Sequence, residues 1–309
     1  MSNLPPQKLV PQDFTMFPEM SVYLADRIRG YNLEHRPITP GERNKAILEM
    51  VQAIHEKDLK VAGAHRHQDW ENGWGENLAR FHHHRLNMAP RDIVKPNYFN
   101  KHPIVRWKGD LHMAVSEDYE GNMLAVIQDY LFDRYFRVQP AIFEFGCGTG
   151  HNLFRVQDAN PIAKIVGLDW ASSAVELINS LNVPGISARQ FDFFNPPWDY
   201  RLPYGSAVYT VAALEQTGTN WHPWLQYILE QRPMLVGHIE PIGEVLDRNV
   251  LQDYLCLEYF KKRGYLSGYL AHLRMLADRG EIILHEVLRT TIGSQFIEGY
   301  TLIVWSPCL

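Results

Sequence analysis

The chain has 309 residues, of which 46% are hydrophobic and 21% charged, and its net charge at pH 7 is -5. This composition excludes a wholly disordered or collagen-like protein, and it lacks the basic excess typical of nucleic-acid binding. No apolar run approaches the ~20 residues that span a bilayer, so no membrane segment is predicted. The three cysteines contain no CxxC pair, which favours a reducing, cytoplasmic compartment over a disulfide framework.

The first 138 residues are predicted to be mainly helical. Six prolines among the first 40 residues predict an irregular segment that wraps the surface rather than forming a core. Apolar residues at helical spacing predict two amphipathic helices, one over about residues 46–54 and one over about residues 122–137. Between them, residues 58–85 are rich in His, Trp and Gly, and residues 89–103 are expected to form a loop.

From residue 141 onward, short apolar runs alternate with helical segments. This alternation predicts an α/β fold with a mainly parallel sheet whose strands lie near 141–146, 164–169, 187–193, 206–214, 233–240, 281–289 and 299–305. The last two runs are separated by a short loop, so they should form a hairpin with the final strand antiparallel. We therefore expect a helical cap or substrate region over residues 1–138, followed by an α/β domain over residues 139–309.

The strongest chemical signal is the segment EFGCGTGHN at residues 144–152. It follows an apolar run and precedes a helical pattern, and its glycines would let the backbone turn sharply and approach a ligand. The spacing is G-x-G-x-G rather than the G-x-G-x-x-G of dinucleotide sites. Glu144 stands two residues before the first glycine, and a carboxylate there would repel a pyrophosphate but attract an ammonium group. The alternative is a turn without a ligand.

This segment resembles the first motif of the class I S-adenosylmethionine-dependent methyltransferases, an acidic residue followed by G-x-G-x-G. The resemblance covers about residues 140–309, and it implies a Rossmann-like seven-stranded methyltransferase sheet and S-adenosyl-L-methionine as cofactor. It implies that Asp169, after the second strand, binds the ribose hydroxyls, and that Asp192, after the third, meets the adenine amino group. The cofactor-binding set that it implies is Glu144, Gly146, Gly148, Gly150, Asn152, Asp169, Trp170, Asp192, Phe193 and Glu215.

Three of these acidic residues also have a purely structural interpretation. Asp169 could cap the following helix, Asp192 could be a surface acid, and Glu215 could cap the end of its strand.

His238 and Glu240, at the end of the fifth predicted strand, are the candidate catalytic bases. Alternate residues of a strand point to the same face, so both side chains could face the cleft. An acceptor hydroxyl must lose its proton during methyl transfer, and a neutral imidazole near its usual pKa suits that task. The alternatives are a hydrogen-bonded core histidine and a carboxylate that orients the substrate.

Five of the 14 histidines lie between His65 and His84. Adjacent histidines on a helix point in different directions, and the chain has no HExxH spacing, so we predict no metal site. A lid rich in His and aromatic residues, or a solvated helix face, is favoured instead. Trp70, Trp74 and Trp107 could form part of an acceptor platform, with core packing as the alternative.

The sequence therefore predicts an enzyme that methylates a small polar acceptor, with neither nucleic acid nor membrane as partner and with a homodimer left open. A second resemblance is to uncharacterised methyltransferases of bacterial surface-polysaccharide and secondary-metabolite gene sets, and it is carried by residues 70–78, 238–242, 263–266 and 294–300. This resemblance implies a biosynthetic role and a hydroxyl of a sugar or metabolite as acceptor. One alternative is N-methylation of an amino-acid-like or guanidino metabolite, with Glu215 and Glu240 binding the cation. Another is a non-catalytic cofactor-binding subunit.

Overall fold

The computed structural model describes residues 5–84, 88–96 and 102–308. Before residue 138 the helices are α1 (Val22–Gly30), α2 (Pro40–His55), α3 (His67–His84), the single turn α4 (Pro90–Ile93) and α5 (Tyr119–Leu131), which continues into a π-helical turn at Phe132–Phe136. Helices α2 and α5 confirm the two amphipathic patterns. Within the described ranges, none of the helices is both long and apolar enough to cross a bilayer.

Four short strands lie among these helices: β1 (Gln7–Lys8), β2 (Glu34–Pro37), β3 (Ile104–Trp107) and β4 (Asp110–Ala114). They belong to a small antiparallel sheet in the order β1-β2-β4-β3-β11, whose last strand, β11 (Gly293–Ser294), comes from the far end of the chain. The sequence did not predict this sheet, because strands of two to five residues leave little periodicity.

The rest of the chain alternates strands with helices, as predicted. The strands are β5 (Ala141–Phe145), β6 (Lys164–Asp169), β7 (Ile186–Gln190), β8 (Ser206–Val211), β9 (Leu235–Glu240), β10 (Ile282–Leu288) and β12 (Thr301–Pro307). The helices are α6 (His151–Ala159), α7 (Ser172–Ser180), α8 (His222–Gln231), α9 (Leu251–Arg263) and α10 (Tyr269–Asp278).

The large sheet has seven strands in the order β10-β12-β9-β8-β5-β6-β7. Strand β12 pairs antiparallel with both of its neighbours, whereas the ladders among β5 to β9 are parallel. This confirms the predicted Rossmann-like methyltransferase sheet with an antiparallel last strand. In the sheet, β6 and β7 lie on one side of β5 and β8 lies on the other, so the direction of the strand order reverses at β5. Open α/β sheets bind ligands beside such a reversal.

The hydrophobic core extends across residue 138. One cluster of buried residues joins Phe14, Ile28 and Trp107 to Ile142 and Tyr209. The expectation that the proline-rich start only wraps the surface is therefore wrong. Its prolines remove helical periodicity but not apolar side chains, and these pack onto α5 and the sheet.

Candidate functional site

The glycine segment forms a tight turn between β5 and α6. Gly146, Gly148 and Gly150 all have positive φ, at 71°, 52° and 81°. A Cβ atom on Gly146 would lie 2.4 Å from the Cβ of Ala213, and one on Gly150 would lie 2.8 Å from Ile178. Larger residues would be strained and would clash here, so the predicted requirement for glycine follows from both backbone conformation and close approach.

Asp169, at the end of β6, holds this turn in place. Its Oδ2 accepts a hydrogen bond of 2.8 Å from the amide of Gly148, and its Oδ1 accepts one of 2.9 Å from the amide of Ala171. Burial raises the pKa of Asp169 to about 6, although both amide bonds oppose the shift. The carboxylate is thus both a structural clamp and part of a cavity wall.

The cavity beside Asp169 is small and largely aromatic. It has a volume of about 60 Å³ and is lined by Trp70, Trp74, Gly146, Asp169, Trp170, Phe193, Phe194, Ala212, Ala213, Gln216 and Thr217. We call it the aromatic cavity. The structure thus brings together four of the predicted cofactor residues, Gly146, Asp169, Trp170 and Phe193.

Asp192 does not line the aromatic cavity. Its Oδ1 accepts a hydrogen bond of 2.8 Å from the amide of Phe194, which forms a local turn that presents Phe193 and Phe194 to the cavity. The predicted contact between Asp192 and the adenine amino group therefore has no support in this arrangement, and Asp192 acts on the cavity through the backbone.

A second cavity, of about 390 Å³, is lined by residues 146–149 of the glycine turn, and we call it the polar cavity. Charged or polar side chains from five distant parts of the chain reach it, among them Arg66, Glu120, Asn152, Glu215 and Arg263. It shares Trp70, Trp74, Gly146, Ala212 and Gln216 with the aromatic cavity, so the two cavities meet at these residues.

Glu144, the acid of the first motif, lines neither cavity. Its Oε1 accepts a hydrogen bond of 2.6 Å from the side-chain amide of Asn152, and its Oε2 accepts one of 3.0 Å from the hydroxyl of Tyr209. Burial raises the pKa of Glu144 to about 8. These two partners enclose the carboxyl, which orients Asn152 in the wall of the polar cavity, and the contact of Glu144 with the cofactor stays a prediction.

Glu215 is the buried acid that does line the polar cavity. Burial and the nearby Glu240 raise its pKa to about 8, while Arg263 and Arg66 counteract the rise. Its Oε1 accepts a hydrogen bond of 2.7 Å from the side chain of Gln216. A carboxyl with a pKa close to neutrality in a cavity can accept a proton from a bound ligand.

Glu240 lies behind Glu215 rather than in a cavity wall. It is fully buried, and its two oxygens accept hydrogen bonds of 3.0, 3.0 and 3.1 Å from the amides of Ala213, Leu214 and Glu215. Burial raises its pKa to about 7. The predicted base is thus contradicted, because this carboxyl is engaged by the turn that carries Glu215; it is a positioning residue.

His238 is a hydrogen-bonded core histidine, so its predicted role as a base is also contradicted. The ring is fully buried, with Nδ1 2.9 Å from the hydroxyl of Thr210 and Nε2 2.9 and 3.0 Å from Tyr269 and Trp305. Burial lowers its pKa to about 3. It shares a strand face with Glu240, as expected, but that face is covered by Trp224 and Tyr269.

Replacing His238 should affect folding rather than chemistry. His238→Ala leaves a cavity and removes the partner of three buried polar groups, so we expect the free energy of unfolding in urea to fall by roughly 2–4 kcal/mol. Cofactor affinity should change little. An unchanged stability together with a collapse of turnover would contradict this assignment.

The same substitution should reduce acid sensitivity. The folded-state pKa of about 3 lies below the usual 6.5, so the unfolded chain binds a proton at His238 that the folded chain does not. Wild-type stability should therefore fall as pH drops below 6.5, and His238→Ala should remove up to ~1.4 kcal/mol per pH unit of that slope.

Helix α3 is fixed across the cleft by an ion-dipole contact with α7. Glu71 accepts hydrogen bonds of 2.7 and 2.9 Å from the amides of Ser172 and Ser173, which caps the start of α7. This contact places Trp70 and Trp74 at the junction of the two cavities. The sequence analysis proposed Trp70, Trp74 and Trp107 as parts of an acceptor platform. Trp107 instead packs against Phe14 in the core.

Sequence reasoning missed Arg66, Glu120 and Arg263, because no motif connects residues so far apart. Two histidines of α3 have separate partners: His67 packs on Trp170, and His82 lies 3.8 Å from Glu176. Within residues 5–84, 88–96 and 102–308, no group of three or more His, Cys, Asp or Glu side chains is placed to hold a metal ion.

No known protein-family profile and no curated protein matches the sequence. Among solved structures, the chain is similar to a geranyl diphosphate C-methyltransferase of Streptomyces coelicolor, with 13% identity, coverage of 76% of this chain and 98% of that one, and a TM-score of 0.46. It is also similar to human N-acetylserotonin methyltransferase, with 16% identity, 77% and 67% coverage and a TM-score of 0.42. At such values the fold assignment rests on this chain's own strand order and glycine turn, which are those of a class I methyltransferase fold.

Proposed function

We propose that this protein is an enzyme that transfers a methyl group from S-adenosylmethionine to a small polar acceptor, most simply a hydroxyl of a sugar or secondary metabolite. The observation that carries the proposal is the pair of cavities that meet at the glycine turn. One offers aromatic rings and a carboxylate, which suit an adenosine, and the other holds a carboxyl that can take up a proton.

The residues present fit this cofactor. Trp170 and Phe193 supply flat apolar surfaces for an adenine, and Asp169 can accept hydrogen bonds from ribose hydroxyls with its remaining lone pairs. The missing Cβ of Gly146 leaves room for Ala213 and Phe193, and that of Gly148 leaves room for Trp74, so the cavity walls can pack against the glycine turn.

When bound, S-adenosylmethionine would supply a methyl group on a positively charged sulfur. Glu215, in its ionised form, would accept the proton of the acceptor hydroxyl as oxygen attacks that methyl group. Glu240 would hold the Glu215 backbone, and α3 would exclude water from the cleft. Most of the rate enhancement would come from aligning donor and acceptor in the two adjoining cavities.

The first 138 residues would act as the cap that shapes the acceptor pocket. They contribute Arg66, Trp70, Trp74, Pro96 and Glu120 to the polar cavity. Glu120 and Glu215 together also favour a second candidate, N-methylation of a cationic acceptor, because two carboxyls in one cavity can orient an ammonium or guanidinium group.

Calorimetry with S-adenosylhomocysteine tests whether the protein binds the proposed cofactor. We expect binding in the micromolar range, which corresponds to about -8 kcal/mol. NAD, which also contains adenosine but requires room for a pyrophosphate, serves as the matched control and should not bind. Binding of NAD without binding of S-adenosylhomocysteine would overturn the proposed function.

A further inference from the structure

We propose that Arg263 binds an anionic oxygen group, a carboxylate or a phosphate, on the methyl acceptor, so that the acceptor is an acid. The inference rests on the proposed function and names the chemical class of its substrate. Three features carry it: the partners of the Arg263 guanidinium, the place of Arg263 relative to the cofactor residues, and the cavity that it shares with Glu215.

The guanidinium of Arg263 has few partners for a half-buried charge. Arg263 ends helix α9 and lines the polar cavity. Its Nη1 donates a hydrogen bond of 3.3 Å to the hydroxyl of Tyr259, and its Nε is buried without a hydrogen-bond partner among the described residues. The Nη2 donors likewise have no partner in the described part of the chain, and unlike Nε they are not buried. Two of the five N–H donors of this side chain are thus available to a ligand.

No carboxylate of the described residues forms an ion pair with Arg263. Arg289, by contrast, lies 2.7 Å from both Asp253 and Glu298. Glu215 is close enough for Arg263 to lower its pKa, but burial raises that pKa to about 8, so Glu215 is largely protonated at neutral pH. A positive charge therefore remains in the cavity wall, and an anionic ligand would neutralise it.

Arg263 lies at the end of the polar cavity that is farther from the predicted cofactor residues. Asp169 ends β6 and Asn152 follows β5, whereas Arg263 belongs to the helix after β9, and the sheet order is β9-β8-β5-β6. A Cβ atom on Gly218, in the segment after β8, would lie 2.8 Å from the carbonyl oxygen of Gly264, which fixes the chain beside Arg263 at that end. A cofactor with its ribose at Asp169 and its amino-acid end at the glycine turn would leave this end to the acceptor.

The polar cavity also holds Glu215, the proposed base. The planar fork of an arginine can bind a carboxylate or a phosphate through two parallel hydrogen bonds, which fixes the orientation of the bound molecule. An acceptor held in this way by Arg263 would present a neighbouring hydroxyl to Glu215. Hydroxy acids, sugar acids and sugar phosphates are therefore favoured as acceptors over neutral sugars.

The test compares two pairs of probes on the protein saturated with S-adenosylhomocysteine: lactate with lactamide, and glycerol 3-phosphate with glycerol. In each pair only the first compound carries a negative charge. We expect the wild type to bind at least one of the two acids about tenfold more tightly than its neutral counterpart, with dissociation constants measured by ligand-detected NMR. The pair that shows the preference distinguishes a carboxylate from a phosphate.

Arg263→Gln should abolish this preference for the acid. Arg263→Lys keeps the charge but not the planar fork, so it should retain part of the preference. Arg248→Gln is the matched control, because it removes an exposed arginine that lines a neighbouring cavity and not the polar one. Its preference should equal that of the wild type.

A second comparison tests whether the cofactor rather than the acceptor supplies the anionic group. 5′-Methylthioadenosine contains the adenosine and the sulfur of S-adenosylhomocysteine but lacks its amino-acid carboxylate. We expect Arg263→Gln to leave the affinities for both compounds within about threefold of the wild type. If it weakened S-adenosylhomocysteine alone, Arg263 would bind the cofactor's carboxylate, and the inference would be wrong.

Equal affinity of the wild type for acid and neutral compound in both pairs, or a preference that survives in Arg263→Gln, would also overturn the inference and leave the proposed function intact. Failure of the wild type to bind S-adenosylhomocysteine would instead overturn the proposed function. If Arg263→Gln does not fold, as judged by circular dichroism and thermal unfolding, Arg263→Lys decides. A preference in Arg263→Lys equal to that of the wild type would then count against recognition by the guanidinium.

Discussion

Glu215→Gln should lower the rate of methyl transfer to a hydroxyl acceptor by about 10²–10⁴-fold, the usual contribution of a general base. Gln has the shape of Glu but cannot take up the acceptor proton. Its amide can still meet the side chain of Gln216, which lies 2.7 Å from Glu215 in the wild type. We therefore expect affinity for S-adenosylhomocysteine to stay within about threefold, as measured by calorimetry.

The pH profile provides a second measurement of the same assignment. Burial and the neighbouring Glu240 raise the pKa of Glu215 to about 8, so the carboxyl is largely protonated at neutral pH and cannot then act as a base. The wild-type turnover number should rise with pH through about 8 and level off above it. Glu215→Gln should lose this rise, because it has no carboxyl to ionise.

Glu120→Gln is the matched control, since it neutralises another carboxyl of the same cavity. It should keep the pH dependence near 8 and most of the turnover. A deep loss in Glu120→Gln with little effect in Glu215→Gln would contradict the assignment of the base. A small effect in both variants, with an amine as the methylated product, would favour the N-methylation candidate instead.

The sequence predicted the seven-stranded sheet well because its central strands are largely apolar runs. All five residues of β5 and all six of β8 are buried, as expected when helices cover both faces of a parallel sheet. The glycine turn was equally predictable, because positive φ and close approach leave a clear trace in residue type. The small antiparallel sheet was not, since its pairings join distant and very short segments.

The candidate base was harder to predict because strand periodicity gives the face of a residue but not its depth. His238 and Glu240 do share a face, yet Trp224, Tyr269 and Trp305 cover the histidine. Whether a carboxyl points at a cavity or at backbone amides depends on where the turn that follows a different strand lies. Glu240 faces the amides of residues 213–215, and that contact leaves Glu215 at the cavity wall.

Asp169 presents the same ambiguity, since it both clamps the glycine turn and lines the aromatic cavity. Asp169→Ala should weaken S-adenosylhomocysteine binding by at least about tenfold, because each hydrogen bond to a charged group contributes roughly 1.5–3 kcal/mol. Calorimetry measures this loss directly. Affinity should also decrease below about pH 6, because burial raises the pKa of Asp169 to about 6 and the protonated form accepts hydrogen bonds less well.

Two further variants separate the clamp from the ribose contact. Asp169→Asn retains one carbonyl oxygen that can accept the amide of Gly148 or of Ala171, so it should preserve more of the turn than alanine does while still losing the charge. Asp192→Ala removes an acid that lies outside the cavity wall, and its affinity should stay within about threefold of the wild type. If Asp192→Ala weakened binding as strongly as Asp169→Ala, the adenosine would have to lie differently from the arrangement proposed here. If Asp169→Asn bound as tightly as the wild type at pH 8, the carboxylate would be a clamp alone, and the ribose contact would have to come from another residue of the aromatic cavity.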